Sequence, residues 1–178
     1  MKRINNYGCH CWTKGKMDGI GGAGLPVDDL DKVCAKLSTC HTCIGIDFGQ
    51  EQCDPVTQRY KAKLAKNKET GNVEITCSNT MNKKQSNNGD CKRSLCECDK
   101  QFADSFADHF HLWDGDNWNL NSDGEFSSLC HRPKAKAGAA HNGPPDTCCG
   151  PSFPEKRPFN SITHKCEDNE VLGINSLL

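Results

Sequence analysis

The sequence predicts a mainly α, disulfide-rich fold, and three observations lead there. Fourteen cysteines stand among 178 residues, roughly 8% of the chain, a density typical of extracellular scaffolds stapled by disulfides. Two stretches repeat their apolar residues at helical spacing, over 28–43 and 90–113. Aromatic residues make up only 7% of the chain and mean hydropathy is −0.72. Apolar burial is therefore thin for this length, and cross-links must supply part of the stability.

In chain order, residues 7–26 read as loop: "GIGGAGLP" offers glycines that tolerate positive φ and a proline that stops regular structure. Over 28–43, Leu30, Val33, Cys34, Leu37 and Cys40 fall on one face of an amphipathic helix, with Asp28 or Asp29 near its N-terminus. The basic stretch within 54–72 reads as helix or solvated loop. "NVEITC" alternates as a short strand, half of a small hairpin or wing. Cys91, Leu95, Cys98, Phe102, Phe106 and Phe110 carry the second helix, which meets no glycine or proline until Gly115. Phe102, Phe106, Phe110 and Trp113 form a stripe expected in the core. Six of the eight prolines lie after residue 132, so the tail is expected to be irregular and held by Cys148, Cys149 and Cys166. The chain is divided into a domain over 1–130 and a Pro/Gly-rich, disulfide-tied extension over 131–178.

Charge and composition exclude several roles. With 22 basic and 23 acidic residues the net charge is −1, so nucleic acid is not an expected partner. No run approaches the ~18 apolar residues of a membrane span. An even cysteine count argues for complete pairing in an oxidising compartment, outside the cell or on the secretory route. "MKRINNYGCHCW" contains no apolar signal core, so Met1 is read as an artificial start or the edge of a processed chain.

Residues 7–106 resemble the secreted phospholipase A2 fold. Tyr7-Gly8-Cys9-His10-Cys11 and Gly21-Gly22-Ala23-Gly24-Leu25-Pro26-Val27-Asp28 match the opening and close of its calcium loop. Asp31-Lys32-Val33-Cys34-Ala35-Lys36-Leu37-Ser38-Thr39-Cys40 matches its first long helix, and Cys96-Glu97-Cys98-Asp99 through Phe106 its second. The resemblance implies a core of two antiparallel, disulfide-linked helices with a small β-wing, to which the prolines and late cysteines add an irregular, cysteine-stapled C-terminal extension. One cysteine pair of the family falls on Val33 and Ser105, where both partners are missing together. The remaining pairs implied are Cys11 with Cys34, Cys40 with Cys98, Cys53 with Cys91, Cys77 with Cys96, and Cys9 with Cys130. Cys43, Cys148, Cys149 and Cys166 are left for two further bridges, expected to fasten the tail to the first helix.

The family's reaction needs a histidine to deprotonate water and a neighbouring aspartate to hold calcium. Carried over residue by residue, those positions are Leu37 and Ser38. Leucine accepts no proton, and a serine hydroxyl is a poor, neutral ligand for a hard cation. Nine residues separate Cys11 from Gly21 where the family has two, an insertion expected to displace the calcium-binding carbonyls. Only six residues precede Tyr7, so the family's N-terminal helix is expected to be missing. Asp99, which orients the catalytic histidine in the family, is read as retained with no histidine to orient. His41 lies one turn beyond Leu37, about 6 Å along the axis, and is read as too displaced to substitute. No catalytic residue is assigned.

Other constellations compete. "CHC" at 9–11 and "CHTC" at 40–43 have zinc-like spacing, but in the family frame these cysteines belong to disulfides, which leaves His10 and His41 as surface or packing residues. Asn119, Asn121 and Asp123 precede Gly124 as the first positions of an EF-hand-like calcium loop would, although Cys130 stands where its bidentate glutamate belongs. Calcium is thus a possible cofactor here. The basic run "AKLAKNK" at 62–68 is a solvated face or a contact for an anionic matrix or lipid surface, the lipid being less favoured. The leading expectation is a secreted, non-enzymatic protein with a structural, matrix or binding role and a capacity for self-assembly. The alternatives are a calcium-dependent lipid ester hydrolase with a rearranged site and a toxin-like lipid or partner binder.

Overall fold

The structure is a computed structural model and describes residues 4–13, 20–22, 24–69, 71, 73–79, 88–120, 128–130 and 144–174. Its longest elements are two helices, α1 (Asp29–Phe48) and α2 (Asn88–His109). The described residues also form four two-stranded antiparallel pairs: β1 (Trp12–Thr13) with β2 (Ile20–Gly21), β3 (Ala62–Lys66) with β4 (Val73–Cys77), β5 (Thr147–Cys149) with β6 (Arg157–Phe159), and β7 (His164–Glu167) with β8 (Glu170–Gly173).

Asp28 starts α1 as its N-cap, its side chain accepting from the Asp31 N–H at 2.8 Å. The helix runs five residues past the predicted 43, because Ile44 and Phe48 continue the buried stripe. It stops at Gly49, whose φ of 81° lets its N–H return to the Gly45 carbonyl. The buried face comprises Leu30, Val33, Cys34, Leu37, Cys40, Cys43 and Ile44. α2 lies against it with Cys91, Leu95 and Cys98 buried. The Cys40–Cys98 bridge joins the helix bodies, while Cys53, beyond the end of α1, bonds Cys91 near the start of α2. The two helices therefore run in opposite senses.

The core has two parts. Leu37, Cys40, Ile44, Leu95 and Cys98 form one, covered by Phe48, Tyr60, Phe102 and Phe153. Tyr7, Leu30 and Cys34 form the other, with Phe106 and Trp113 against them. The aromatic stripe of α2 is half-buried, Phe102 on Phe106 at 5.7 Å and Phe106 on Phe110 at 5.2 Å between ring centres. It runs on into a short 3-10 turn at Phe110–Leu112.

All fourteen cysteines are bridged: 9–130, 11–34, 40–98, 43–148, 53–91, 77–96 and 149–166. Two expectations about the tail need correction. Only Cys43–Cys148 fastens it to α1, whereas Cys149–Cys166 ties β5 to β7 within it. The tail is also less irregular than its prolines suggest. Asp168 and Asn169 take positive φ values of 49° and 67°, the two-residue turn that suits a tight hairpin, and so close β7 on β8. Phe153 meets Phe48 at 6.0 Å and Lys156 pairs with Asp47, so the extension packs on the C-terminal half of α1. The basic stretch over 62–66 is a strand, paired with "VEITC".

Replacing Cys43 and Cys148 together by alanine should lower stability by about 3 kcal/mol in denaturant titration, the usual worth of closing a long loop. Amide exchange should then rise first over 147–159.

Candidate functional site

The loop before α1 is organised by one acid. Asp31 is fully buried, and its carboxylate accepts the N–H groups of Cys9 at 2.8 Å, His10 at 2.7 Å and Val27 at 3.0 Å. Such a charge is tolerable in the interior only when its oxygens are filled in this way. Gly8 makes the approach possible: its φ is 59°, and a Cβ there would lie 2.3 Å from the Asp31 carboxyl carbon. Beside it the Tyr7 hydroxyl donates to Asp28 Oδ2 at 2.5 Å, and Asn117 Nδ2 donates to the same oxygen at 3.0 Å. Burial, then the bond to Asp28, pushes the Tyr7 hydroxyl above its ordinary pKa.

The second cluster lies between the helices. Leu37 is buried in the core and offers no proton acceptor. One turn later His41 and Asp99 meet beside the Cys40–Cys98 bridge, with Nε2 of His41 3.1 Å from Asp99 Oδ1. A carboxylate only accepts, so the imidazole nitrogen is the donor. The Tyr60 hydroxyl donates to the other oxygen, Asp99 Oδ2, at 2.6 Å. Burial, followed by the bond to Asp99, holds the Tyr60 hydroxyl far above the usual phenol range. The expectation that Asp99 has no histidine beside it is corrected here. Residues four apart share a helix face, so His41 reaches across to α2 from the same side as Leu37. His41 is also no bystander at the surface: only 16% of its side chain is exposed.

A carboxylate-oriented imidazole is the pattern of a general base. The residue after His41 is Thr42, whose hydroxyl donates back to the Ser38 carbonyl at 2.9 Å, so no carboxylate adjoins the imidazole in sequence. Ser38 itself supplies only a neutral oxygen, so the donors at this point of α1 do not fit a calcium ion. Among the described residues no group of three or more His, Cys, Asp or Glu side chains is arranged to hold a metal. The described ends of the insertion form the β1–β2 pair, with Trp12 opposite Gly21 and the indole N–H of Trp12 on the Gly8 carbonyl at 2.8 Å. His10 Nε2 lies 3.2 Å from the Gly24 carbonyl.

Of the proposed calcium loop, Asn119 has a positive φ of 64° and its N–H donates to the Asn6 carbonyl at 2.7 Å. Asn121 and Asp123 lie outside the described residues. The cysteines of "CHC" and "CHTC" are all in disulfides, which leaves no thiolate for zinc. An open cleft of about 710 Å³ lies by the N-terminus of α1, lined by Leu25, Asp28, Asp29, Lys32, Leu112 and Asp114 among others. Neither Leu37 nor the His41–Asp99 pair borders it.

The family model for phospholipase A2 matches residues 1–114, which spans both helices, the Asp31 loop and the His41–Asp99 pair. The chain belongs to the phospholipase A2 family. Among curated proteins it is 35% identical over 106 residues to a phospholipase A2 of Bos taurus, covering 58% of this chain and 59% of that one. It is 28% identical over 106 residues to the phospholipase A2 homolog otoconin-22 of Xenopus laevis, covering 60% and 65%. To an acidic phospholipase A2 of Naja oxiana it is 32% identical over 116 residues, covering 65% and 76%. The chain thus spans about three fifths of the length of the bovine and Xenopus relatives. Phospholipase A2 sequence signals point to position 37 for the base. The sequence marks His41 only as a residue one turn on; its contact with Asp99, which follows from the face it shares with Leu37, is what the motif does not show.

Two outcomes test this geometry. Asp31→Ala strands three N–H groups, that of Cys9 buried and those of His10 and Val27 partly so, and should destabilise the protein by about 3 kcal/mol, read as a fall in midpoint in thermal or denaturant unfolding. The chain's two tyrosines, Tyr7 and Tyr60, both have raised pKa values. At pH ~10, where a free phenol is half ionised, native protein should show much less phenolate absorbance than the reduced, unfolded chain. A raised pKa favours the native state fully below the unfolded value, so this contribution should fade as pH climbs above ~10.

Proposed function

We propose that this phospholipase A2 family member is a secreted, non-enzymatic protein that acts as a structural, matrix or binding component outside the cell. The observation that carries the reading is the hydrocarbon of Leu37, buried in the inter-helix core, where the family's motif has its base. Ser38 beside it brings no charge for a cation that would polarise an ester. Losing base and cation together removes two sources of rate acceleration, each worth orders of magnitude. Secretion is supported by the seven disulfides, which persist in oxidising compartments. None of the described helices is long and apolar enough to cross a membrane. Similarity to otoconin-22, a protein named a homolog of phospholipase A2, is in keeping with a role without turnover.

A second reading has one observation in its favour. The His41–Asp99–Tyr60 chain orients an imidazole as a general base is oriented, so hydrolysis from a site shifted by one helical turn is the alternative. A calcium ion would then have to be held by oxygens elsewhere, and the Asn119 region is where the sequence offers them.

A mixed-micelle phospholipid assay with and without calcium separates the two. The expected outcome is no calcium-dependent fatty-acid release. Release that is abolished by chelator and by His41→Asn would establish the alternative and overturn the non-enzymatic reading.

A further inference from the structure

The β3–β4 wing has a free side. All five residues of β3 are exposed, its sheet has two strands, and among the described residues no other strand pairs with it. β4 is attached to the body through Cys77–Cys96, so β3 is the outer edge. Leu64 is 72% and Val73 60% exposed on the same face. An edge of this length with an apolar face is a template for another strand.

The backbone groups of β3 point alternately toward β4 and away from it. Ser78 N–H donates to the Lys61 carbonyl at 2.9 Å, and Lys61 N–H to Asn79 Oδ1 at 2.6 Å, so Lys61 turns its polar groups toward β4. Hydrogen-bonding direction alternates along an antiparallel strand. The N–H and C=O groups of Ala62, Leu64 and Lys66 therefore face outward.

We propose that β3 pairs antiparallel with β3 of a second copy of this chain, across a two-fold axis at Leu64, forming a continuous four-stranded sheet. "AKLAK" is self-complementary in that register. Leu64 faces the partner's Leu64, Lys63 faces the partner's Ala65, and Ala62 faces the partner's Lys66, so no lysine opposes a lysine. The outward groups of Ala62, Leu64 and Lys66 then all find partners, giving about six hydrogen bonds. Sliding by one pair in one direction sets Lys63 against the partner's Lys63, a like-charge contact. The opposite slide shortens the ladder and sets Leu64 against the partner's Lys66.

Charge supports the same register. Glu74 lies across from Ala65 on β4, and the partner's Lys63 lies across from Ala65 on the other side. Glu74 accepts from Asn67 Nδ2 at 3.0 Å through Oε1, which leaves Oε2 for the partner's Lys63 across the small alanine, about 10 Å away at the Cα atoms, and symmetry makes the contact twice. On the opposite face Ile75 and Leu64 continue into the partner's Leu64 and Ile75 as one apolar row. Edge lysines ordinarily discourage pairing. Here they restrict it to one register, and the short strand makes the association weak and concentration-dependent.

The pairing deepens the assembly role proposed above and rests on that reading for its use. Its test is independent: sedimentation of the whole chain over a concentration series, alone and with phosphatidylserine vesicles. The wild type should pass from monomer to dimer. Leu64→Pro removes an outward N–H from an edge strand, where proline is tolerated, and should weaken dimerisation at least about tenfold with an unchanged circular dichroism spectrum. Lys63→Glu should weaken it as well, and Lys63→Glu with Glu74→Lys should restore it, which guards against a proline variant that fails to fold. A chain monomeric at every concentration, or a dimer indifferent to these changes, overturns the pairing. So does a monomer whose vesicle binding is lost in Lys63→Glu, since the wing would then serve a lipid surface. A monomer without hydrolytic activity would refute this pairing and leave the non-enzymatic reading standing, whereas a dimer with turnover would do the reverse.

Discussion

A carboxylate with no access to water holds the N-terminal half of this protein together. Asp31 sits in the first turn of α1, where the helix dipole favours negative charge, and collects N–H groups from both flanks of the loop that precedes the helix. The Cys11–Cys34 and Cys9–Cys130 bridges fasten that loop to α1 and to the segment ending at Cys130. Three donors aimed at one site also specify a conformation, because a misplaced loop would leave the acid buried and unpaired. Gly8 and Asp31 are thus one unit: a side chain at the first position would exclude the second.

Between the helices apolar packing and polar pairing are divided by a single helical turn. Leu37 joins Ile44, Leu95 and Cys98 in a dry cluster, while His41, Asp99 and Tyr60 form a chain at its edge. Asp99 accepts at both oxygens, which explains how it persists partly buried between the helices. The polar chain couples three segments, α1, α2 and the stretch leading into β3. It has a structural rationale as clear as any chemical one.

Much of this is legible in the sequence, for physical reasons that can be named. The i, i+3, i+4 pattern from Leu30 to Cys40 locates α1 because one face of the helix is buried along its whole length. Gly49 marks its end, as the glycine that supports a positive φ. The Asp168-Asn169 turn is equally visible in principle, since both residue types tolerate the left-handed region, but the surrounding prolines signal irregularity more strongly. β3 is hidden because alanine and lysine favour strands weakly; pairing with "VEITC", itself anchored by Cys77, overrides that preference. His41 escapes a comparison of aligned positions, because contact across helices depends on the face a residue occupies.

The Cys43–Cys148 link has a consequence for what a cut in the backbone would do. Cys43 lies in α1 and Cys148 in β5 of the extension, far apart along the chain. Were the backbone between Cys130 and Pro144 severed, the two pieces would remain one covalent body. Cys149–Cys166 would likewise keep the later hairpin on the earlier one across cuts between them. Clipping would therefore yield a two-chain product that parts company only under reduction, so the extension stays with its partner for as long as the surroundings remain oxidising.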